Sequence, residues 1–396
     1  MSFIGLIGHS RGGEGVVAAQ QLNFSGGLGH QIKAVVSIAP TNFQDFVHDS
    51  TPYLVIYGSS DGDVSGINDG VNPFLLYDRA KPPKSLIFVY GAIHNRFSTN
   101  PDWLSLDSID NDDARIISEA DHQNIAKGYA LTLFERHFRN QLAFDIFFNH
   151  YERPTSVPTS VEILHLYQDP VTQVVDDFEQ PASDTTVPLA QQLASRARTN
   201  KLGKPVSASG LSIPDLTFVN SLTETGLSRI SLTSFVDEGA GALIAWNSSG
   251  ATYNTDLSPT DASAFQVLSF RVTQRLGSTR NPANAPQDFF VRLTDTSSQS
   301  AVIQASSVTN IPFPFIRHDH FAVHPPAAGS RRFVDHPRLA DNPDRSKSVL
   351  KTVRLRLDDF KANNPRLNLS ALRRISFEFR QTSTGEIAVD DIEFSL

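Results

Sequence analysis

Between residues 1 and 140, short apolar runs alternate with amphipathic stretches. Phe3–Ile7, Ile32–Ala39 (IKAVVSIA), Tyr53–Tyr57 (YLVIY) and Ser85–Tyr90 (SLIFVY) are nearly unbroken apolar segments of strand length. Runs without in-and-out alternation fit strands buried on both faces of a parallel sheet. Arg11–Leu22 carries a helical pattern, and so does His122–Phe138, where Ile125, Tyr129, Leu133 and Phe134 share one face. Strands interleaved with helices predict an α/β domain over residues 1–150.

The pattern changes near Tyr151. Pro154, Pro158 and Pro170 lie in a stretch that starts rich in Ser and Thr, which predicts a linker over 151–172. From residue 173 to 396 the signal is β: Leu243–Trp246, Ala264–Thr273, Asp288–Thr294, Ala301–Gln304, Lys351–Leu357 and Ile375–Arg380, with no convincing helix among them. Alternation in Val353-Arg-Leu-Arg-Leu and Ile375-Ser-Phe-Glu-Phe fits half-buried antiparallel strands. The fold class expected is therefore α/β followed by all-β, the second part a jelly-roll-like β-sandwich.

Composition narrows this picture in a few places. The 396 residues are enough for two cores. A net charge of −8 without a basic stripe argues against a nucleic-acid partner. No apolar run reaches the roughly 18 residues of a membrane span. The chain has no cysteine, which excludes disulfides, thiolate metal sites and a cysteine nucleophile.

The candidate chemistry begins at Gly8-His-Ser10-Arg-Gly12-Gly13, a G-x-S-x-G turn between an apolar strand and a helix. A sharp turn lifts the serine hydroxyl above the sheet, and Gly8 and Gly12 are expected where a Cβ would collide with backbone. The helix start would aim the Arg11 N–H at a reacting carbonyl as an oxyanion donor. Two strand ends follow in the order this chemistry uses. Tyr53–Tyr57 runs into Gly58-Ser-Ser-Asp61-Gly-Asp63, and Ser85–Tyr90 into Gly91-Ala-Ile-His94. His94 would take the Ser10 proton while an aspartate fixes its tautomer. Asp61 is favoured for that role, with Asp63 the competing choice.

GHSRGG, YGSSDGDV and GAIHNRF resemble the elbow, acid loop and histidine loop of the dienelactone-hydrolase, chlorophyllase and polyester-hydrolase branch of the α/β-hydrolases. The resemblance covers about residues 3–140. It implies carboxylic-ester hydrolysis through an acyl-enzyme, with Ser10, Asp61 and His94 as triad and no cofactor. Hydrolases of that branch place several strands, on the order of 100 residues, before the elbow, including the loop that gives the second oxyanion N–H. The chain therefore reads as the C-terminal half of such a sheet. Two explanations stand: truncation of a longer protein, or a degenerate half. Truncation is favoured because a strand at Phe3 would be an unpaired apolar edge. In a truncated chain, esterase activity is itself in question.

Val174-Val-Asp-Asp-Phe-Glu179 and Ile387-Ala-Val-Asp-Asp391-Ile-Glu-Phe394 resemble the first and last strands of galactose-binding-like jelly rolls, carbohydrate-binding modules among them. That likeness implies a polysaccharide or other polymer as partner. Glu179 and Asp391 are candidates for a structural Ca²⁺, against the reading that they cap strand ends. The cluster His318, His320, His324 and His336 lacks a regular metal-ligand spacing. The acidic segment Asp107, Asp110, Asp112, Asp113 lacks the glycine of a Ca²⁺ loop and is read as solvated. The expectation is a serine esterase, extracellular in its full-length form, with an ester substrate. The alternative is a non-catalytic binding protein with a decayed hydrolase half and a carbohydrate-binding β-module.

Overall fold

The computed structural model describes residues 3–396 except 45, 65–72, 101–106, 108–115, 180–198, 212–215, 220–239, 277 and 315–347. The histidine cluster at 318–336 and Asp110, Asp112 and Asp113 lie outside the described residues. The described residues divide into two compact units, one up to Pro170 and one from Val171.

The first unit is built on a five-stranded sheet, β1 (Ile4–His9), β2 (Ile32–Ile38), β3 (Tyr53–Gly58), β4 (Lys84–Val89) and β5 (Ile163–Gln168), in that spatial order. β1 to β4 are parallel and β5 is antiparallel. Its helices are α1 (Arg11–Ser25), α2 (Pro73–Arg79), α3 (Glu119–Phe138) and the short α4 (Ile146–Asn149). β2 explains the unbroken apolar runs. Ala34, Val36 and Ile38 pack with Ile125, Tyr129 and Leu133 of α3. Ser37 points the opposite way, its hydroxyl donating to the Gly13 carbonyl of α1 at 2.7 Å. Both faces of the strand are covered, so both are largely apolar and the buried polar exception, Ser37, is hydrogen-bonded. β1 is one of the two edge strands, with Ile7 and the preceding Phe3 about half exposed (52% and 48%).

The expected linker over 151–172 is instead folded. Val157 and Val161 are buried in the sheet's core, and Ile163–Gln168 is β5, paired with β4 from Val89↔Ile163 to Lys84↔Gln168. The three prolines flank the strand and interrupt no ladder, and only Pro170 stands at the division between the units.

The second unit contains two antiparallel sheets. One runs β13 (Ser300–Gln304), β12 (Phe290–Asp295), β15 (Leu372–Phe379), β10 (Ala251–Thr260), β7 (Val206–Ser209). The other runs β14 (Lys351–Arg356), β11 (Val267–Gln274), β16 (Gly385–Ser395), β9 (Gly241–Trp246), β8 (Leu216–Val219), with β6 (Thr172–Asp176) also pairing β16. Residues from both sheets meet in one aromatic-rich core that includes Trp246, Tyr253, Phe270, Phe289, Phe377 and Phe394. This is a β-sandwich. It also holds one short helix the sequence reading did not expect, α5 (Leu357–Asn363), whose Leu357 and Phe360 are buried.

Candidate active site

The chain turns at Ser10 from β1 into α1. Ser10 has φ 57° and ψ −124°, a conformation that costs an L residue free energy and persists only where its surroundings impose it. Its N–H donates to the Ile38 carbonyl at 2.9 Å, and its carbonyl accepts from the Gly13 N–H at 2.9 Å and the Thr41 N–H at 3.2 Å. A Cβ on Gly8 would lie 2.0 Å from the Gly12 carbonyl oxygen. Gly12, expected to be equally crowded, has open space: a Cβ there meets nothing within 4 Å. The second crowded position is Gly13, whose Cβ would come within 2.9 Å of Pro40 Cβ. The first turn of α1 folds back over the end of β1, so Gly8 and Gly13 face backbone and side chain while Gly12 faces outward.

Ser10 occupies the N-cap of α1, yet its hydroxyl makes no capping hydrogen bond. The Arg11 N–H begins the helix and belongs to the first turn, whose amides have no intrahelical acceptor. The exposed Arg11 guanidinium lies over the Phe43 ring, 5.8 Å from its centroid.

The acid and histidine loops leave adjacent parallel strands, β3 and β4, and are pressed together. A Cβ on Gly58 would fall 2.3 Å from the Ala92 carbonyl oxygen. The Ser60 N–H donates to that carbonyl at 2.9 Å, and the Gly91 N–H to Ser59 Oγ at 2.9 Å. This approach puts Asp61 Oδ2 at 2.9 Å from His94 Nδ1, both side chains fully buried. The other Asp61 oxygen accepts the N–H groups of Asp63 and Val64 at 2.9 and 2.6 Å. Asp61, not Asp63, is the aspartate on the histidine. With Nδ1–H donated to Asp61, the neutral form of His94 carries its lone pair on Nε2, an atom buried without a hydrogen-bond partner among the described residues. Ser10 reaches this neighbourhood through its neighbour: His9 Nε2 donates to the His94 carbonyl at 3.1 Å, and the two rings lie 4.6 Å apart. No hydrogen bond joins Ser10 Oγ to His94.

Asp107 and His122 complete the cluster, and sequence reading missed both. Asp107, expected in a solvated segment, is 5% exposed. Its Oδ2 accepts the N–H groups of Gly62 and His94, both at 2.7 Å, and its Oδ1 that of Asn95 at 2.8 Å. The cause of the error is that backbone donors satisfy this carboxylate, and their convergence has no spacing signature. His122 Nε2 accepts the Ile93 N–H at 2.8 Å and its Nδ1 donates to the Ser118 carbonyl at 2.8 Å, which fixes its tautomer.

The electrostatics separate these histidines. Burial pushes His122 down to about 4, and burial together with the neighbouring His94 takes His9 to about 4, so both are neutral. For His94, burial opposes the charge, but the Asp61 carboxylate outweighs it through attraction and hydrogen bond, with Asp107 and Asp63 adding; the result is about 9. Burial and the charge of Asp61 raise Asp107 to about 6 against the pull of its three N–H donors.

In the second unit, Glu179 accepts the Ala240 N–H at 2.5 Å, and Asp391 lies 3.4 Å from the Arg271 guanidinium. No hydrogen bond joins these two Ca²⁺ candidates. Among the described residues no cluster of three His, Asp or Glu side chains is arranged to hold a metal. No described helix is long and apolar enough to cross a membrane.

No protein-family model matches the chain, and no curated protein matches its sequence. Solved structures similar to part of it include carbohydrate-binding modules. One is the family 11 module of a cellulosomal cellulase of Clostridium thermocellum, with 12% identity, 57% of this chain and 94% of that one covered, and a TM-score of 0.28. A family 30 module of another cellulosomal cellulase of the same organism has 11% identity, 41% and 79% coverage and a TM-score of 0.26. A mannan-recognising module has 7% identity, 57% and 96% coverage and a TM-score of 0.28. Likenesses this distant carry no functional argument, and the description of the second unit as a β-sandwich rests on its own strand order.

Proposed function

We propose that the chain is a serine hydrolase acting on carboxylic esters. The observation that carries this reading is the buried Asp61–His94 pair with a spare Nε2, its ring 4.6 Å from that of His9, the residue before a serine held at positive φ between strand and helix. Ser10 Oγ attacks the acyl carbon and its proton passes to His94 Nε2. The Arg11 N–H donates to the developing oxyanion. His94 then returns the proton to the leaving alkoxide, and a water repeats the sequence in reverse to free the acid. A fluorophosphonate probe should label Ser10, and p-nitrophenyl esters should be hydrolysed. Labelling or turnover that survives Ser10→Ala would overturn the assignment.

A second reading concerns the β-sandwich. The register across one sheet sets Ser207, Asn254, Ser376 and Arg292 in a row, and Ser209, Thr252, Glu378, Phe290 and Gln304 in the next. Asn254, Arg292 and Glu378 are half-buried, while Tyr253, Val291 and Phe377 between them enter the core. This outward face offers amide, hydroxyl and charged groups suited to a polyhydroxylated polymer. Affinity electrophoresis of the full chain in soluble β-glucan and mannan tests it: retardation lost in Asn254→Ala supports the face, and unretarded migration in both removes the reading.

A further inference from the structure

We propose that Asp107 is a positioning residue, whose carboxylate ties the acid loop to the histidine loop and so sets the Asp61–His94 contact. The inference rests on the hydrolase reading above. One buried carboxylate collects three backbone N–H groups from two loops, Gly62 on one side and His94 and Asn95 on the other. Gly62 directly follows Asp61, and His94 bears the base. The contacts nearer the sheet, Ser60 to Ala92 and Gly91 to Ser59, hold the strand ends and stop short of these residues.

The choice of a carboxylate is informative. A second acid beside Asp61 is electrostatically unfavourable, and it is this neighbour, with burial, that raises Asp107. A neutral acceptor would join the loops without that repulsion. The charge has a use at His94, where it adds to the field of Asp61 and favours the imidazolium formed when the base takes the serine proton. Asp107 therefore acts through both geometry and field.

The test uses the low-field proton NMR signal of the His94 Nδ1–H, which reports the Asp61–His94 bond whether or not Ser10 acylates. In Asp107→Asn, one acceptor oxygen becomes an NH₂ facing N–H donors. The low-field signal should move or broaden, the pH midpoint of the rate should fall, and kcat/KM should drop about 100-fold, the cost of a displacement near 1 Å. The wild-type chain supplies a measurement independent of folding of the variant. Asp107 titrates near 6, whereas the nearby His9 and His122 titrate near 4 and His94 near 9. The other charged groups around the cluster are Asp61, which bonds His94, Asp63, and, facing His122, Arg96 and Asp121. The His94 signal should show an inflection close to pH 6. A wild-type signal flat between pH 5 and 7, or a folded Asp107→Asn with unchanged signal and kcat/KM, overturns the proposal. Loss of the hydrolase reading is read separately, from Ser10→Ala that still labels.

Discussion

Each unit buries a cluster of aspartate and cation, and the two differ in the chemistry of the cation. In the β-sandwich, Arg271 on β11 lies 3.3 Å from Asp390 and 3.4 Å from Asp391 on β16, and Arg271 pairs in register with Asp390. A guanidinium never gives up its proton in a protein. That cluster holds strand against strand without exchanging a proton at the cation. In the α/β unit the cation is an imidazole, which does exchange protons, and one of its nitrogens is left without a partner among the described residues. A buried ion pair becomes reactive when one member can lose its proton and has an atom to spare.

The largest effect should separate the two clusters. Asp61→Asn should lower kcat by about 10⁴, as the equivalent change does in a serine protease, while Asp63→Asn costs far less; steady-state hydrolysis of a p-nitrophenyl ester reads both. If Asp63→Asn is the more damaging, the contact seen here is not the working one. Asp390→Asn should leave ester hydrolysis unchanged. It should instead lower stability in urea unfolding, by less than the ~3–5 kcal/mol of leaving a buried charge unpaired, because Arg271 keeps Asp391.

pH should distinguish the clusters next. The base must be neutral, so kcat/KM should rise about tenfold per pH unit below the His94 midpoint and level off above about 9. The sign for stability is opposite. His94 is raised above its ordinary value near 6.5, so the contribution of its charged form is complete below that pH and fades as pH climbs through about 9. Guanidine unfolding at pH 6 and pH 10 should show this loss, and Asp61→Asn should abolish it. The Arg271 cluster contributes no such titration.

The smallest effect concerns the elbow. Gly12→Ala should fold and keep labelling at Ser10, with stability changed by no more than about 1 kcal/mol, because a Cβ there meets nothing and alanine is the better helix former. Gly8→Ala should yield no labelled protein. If the two variants behave alike, the elbow geometry described for β1 and α1 is wrong.

Legibility followed burial. The apolar runs at β2, β3 and β4 are readable because both their faces are covered, and the elbow is readable because a strand, a crowded glycine and a helix start fall within a dozen residues. β10 was not readable. Its ten residues, ATYNTDLSPT, alternate buried and half-buried positions, but several buried ones are small or polar, such as Ala251 and Thr255, so the segment resembles a loop. β5 was hidden by the prolines around it, although Ile163-Leu-His-Leu has strand character.

The chain alone determined which chemistry is possible: a serine in an elbow, an acid and a histidine each after a buried strand, no thiol, and a second part made of strands. Tertiary structure decided which atoms meet. It set Asp61 Oδ2, not an Asp63 oxygen, on His94 Nδ1, while the Asp63 and Val64 N–H groups hold the other Asp61 oxygen. It turned Asp107 from an apparent solvated acid into a buried acceptor, and showed Gly13 rather than Gly12 to be the crowded glycine. In each case the deciding partner is a backbone group or a residue on another element. Backbone N–H groups are identical at every non-proline position, so only the folded path of the chain assigns them an acceptor.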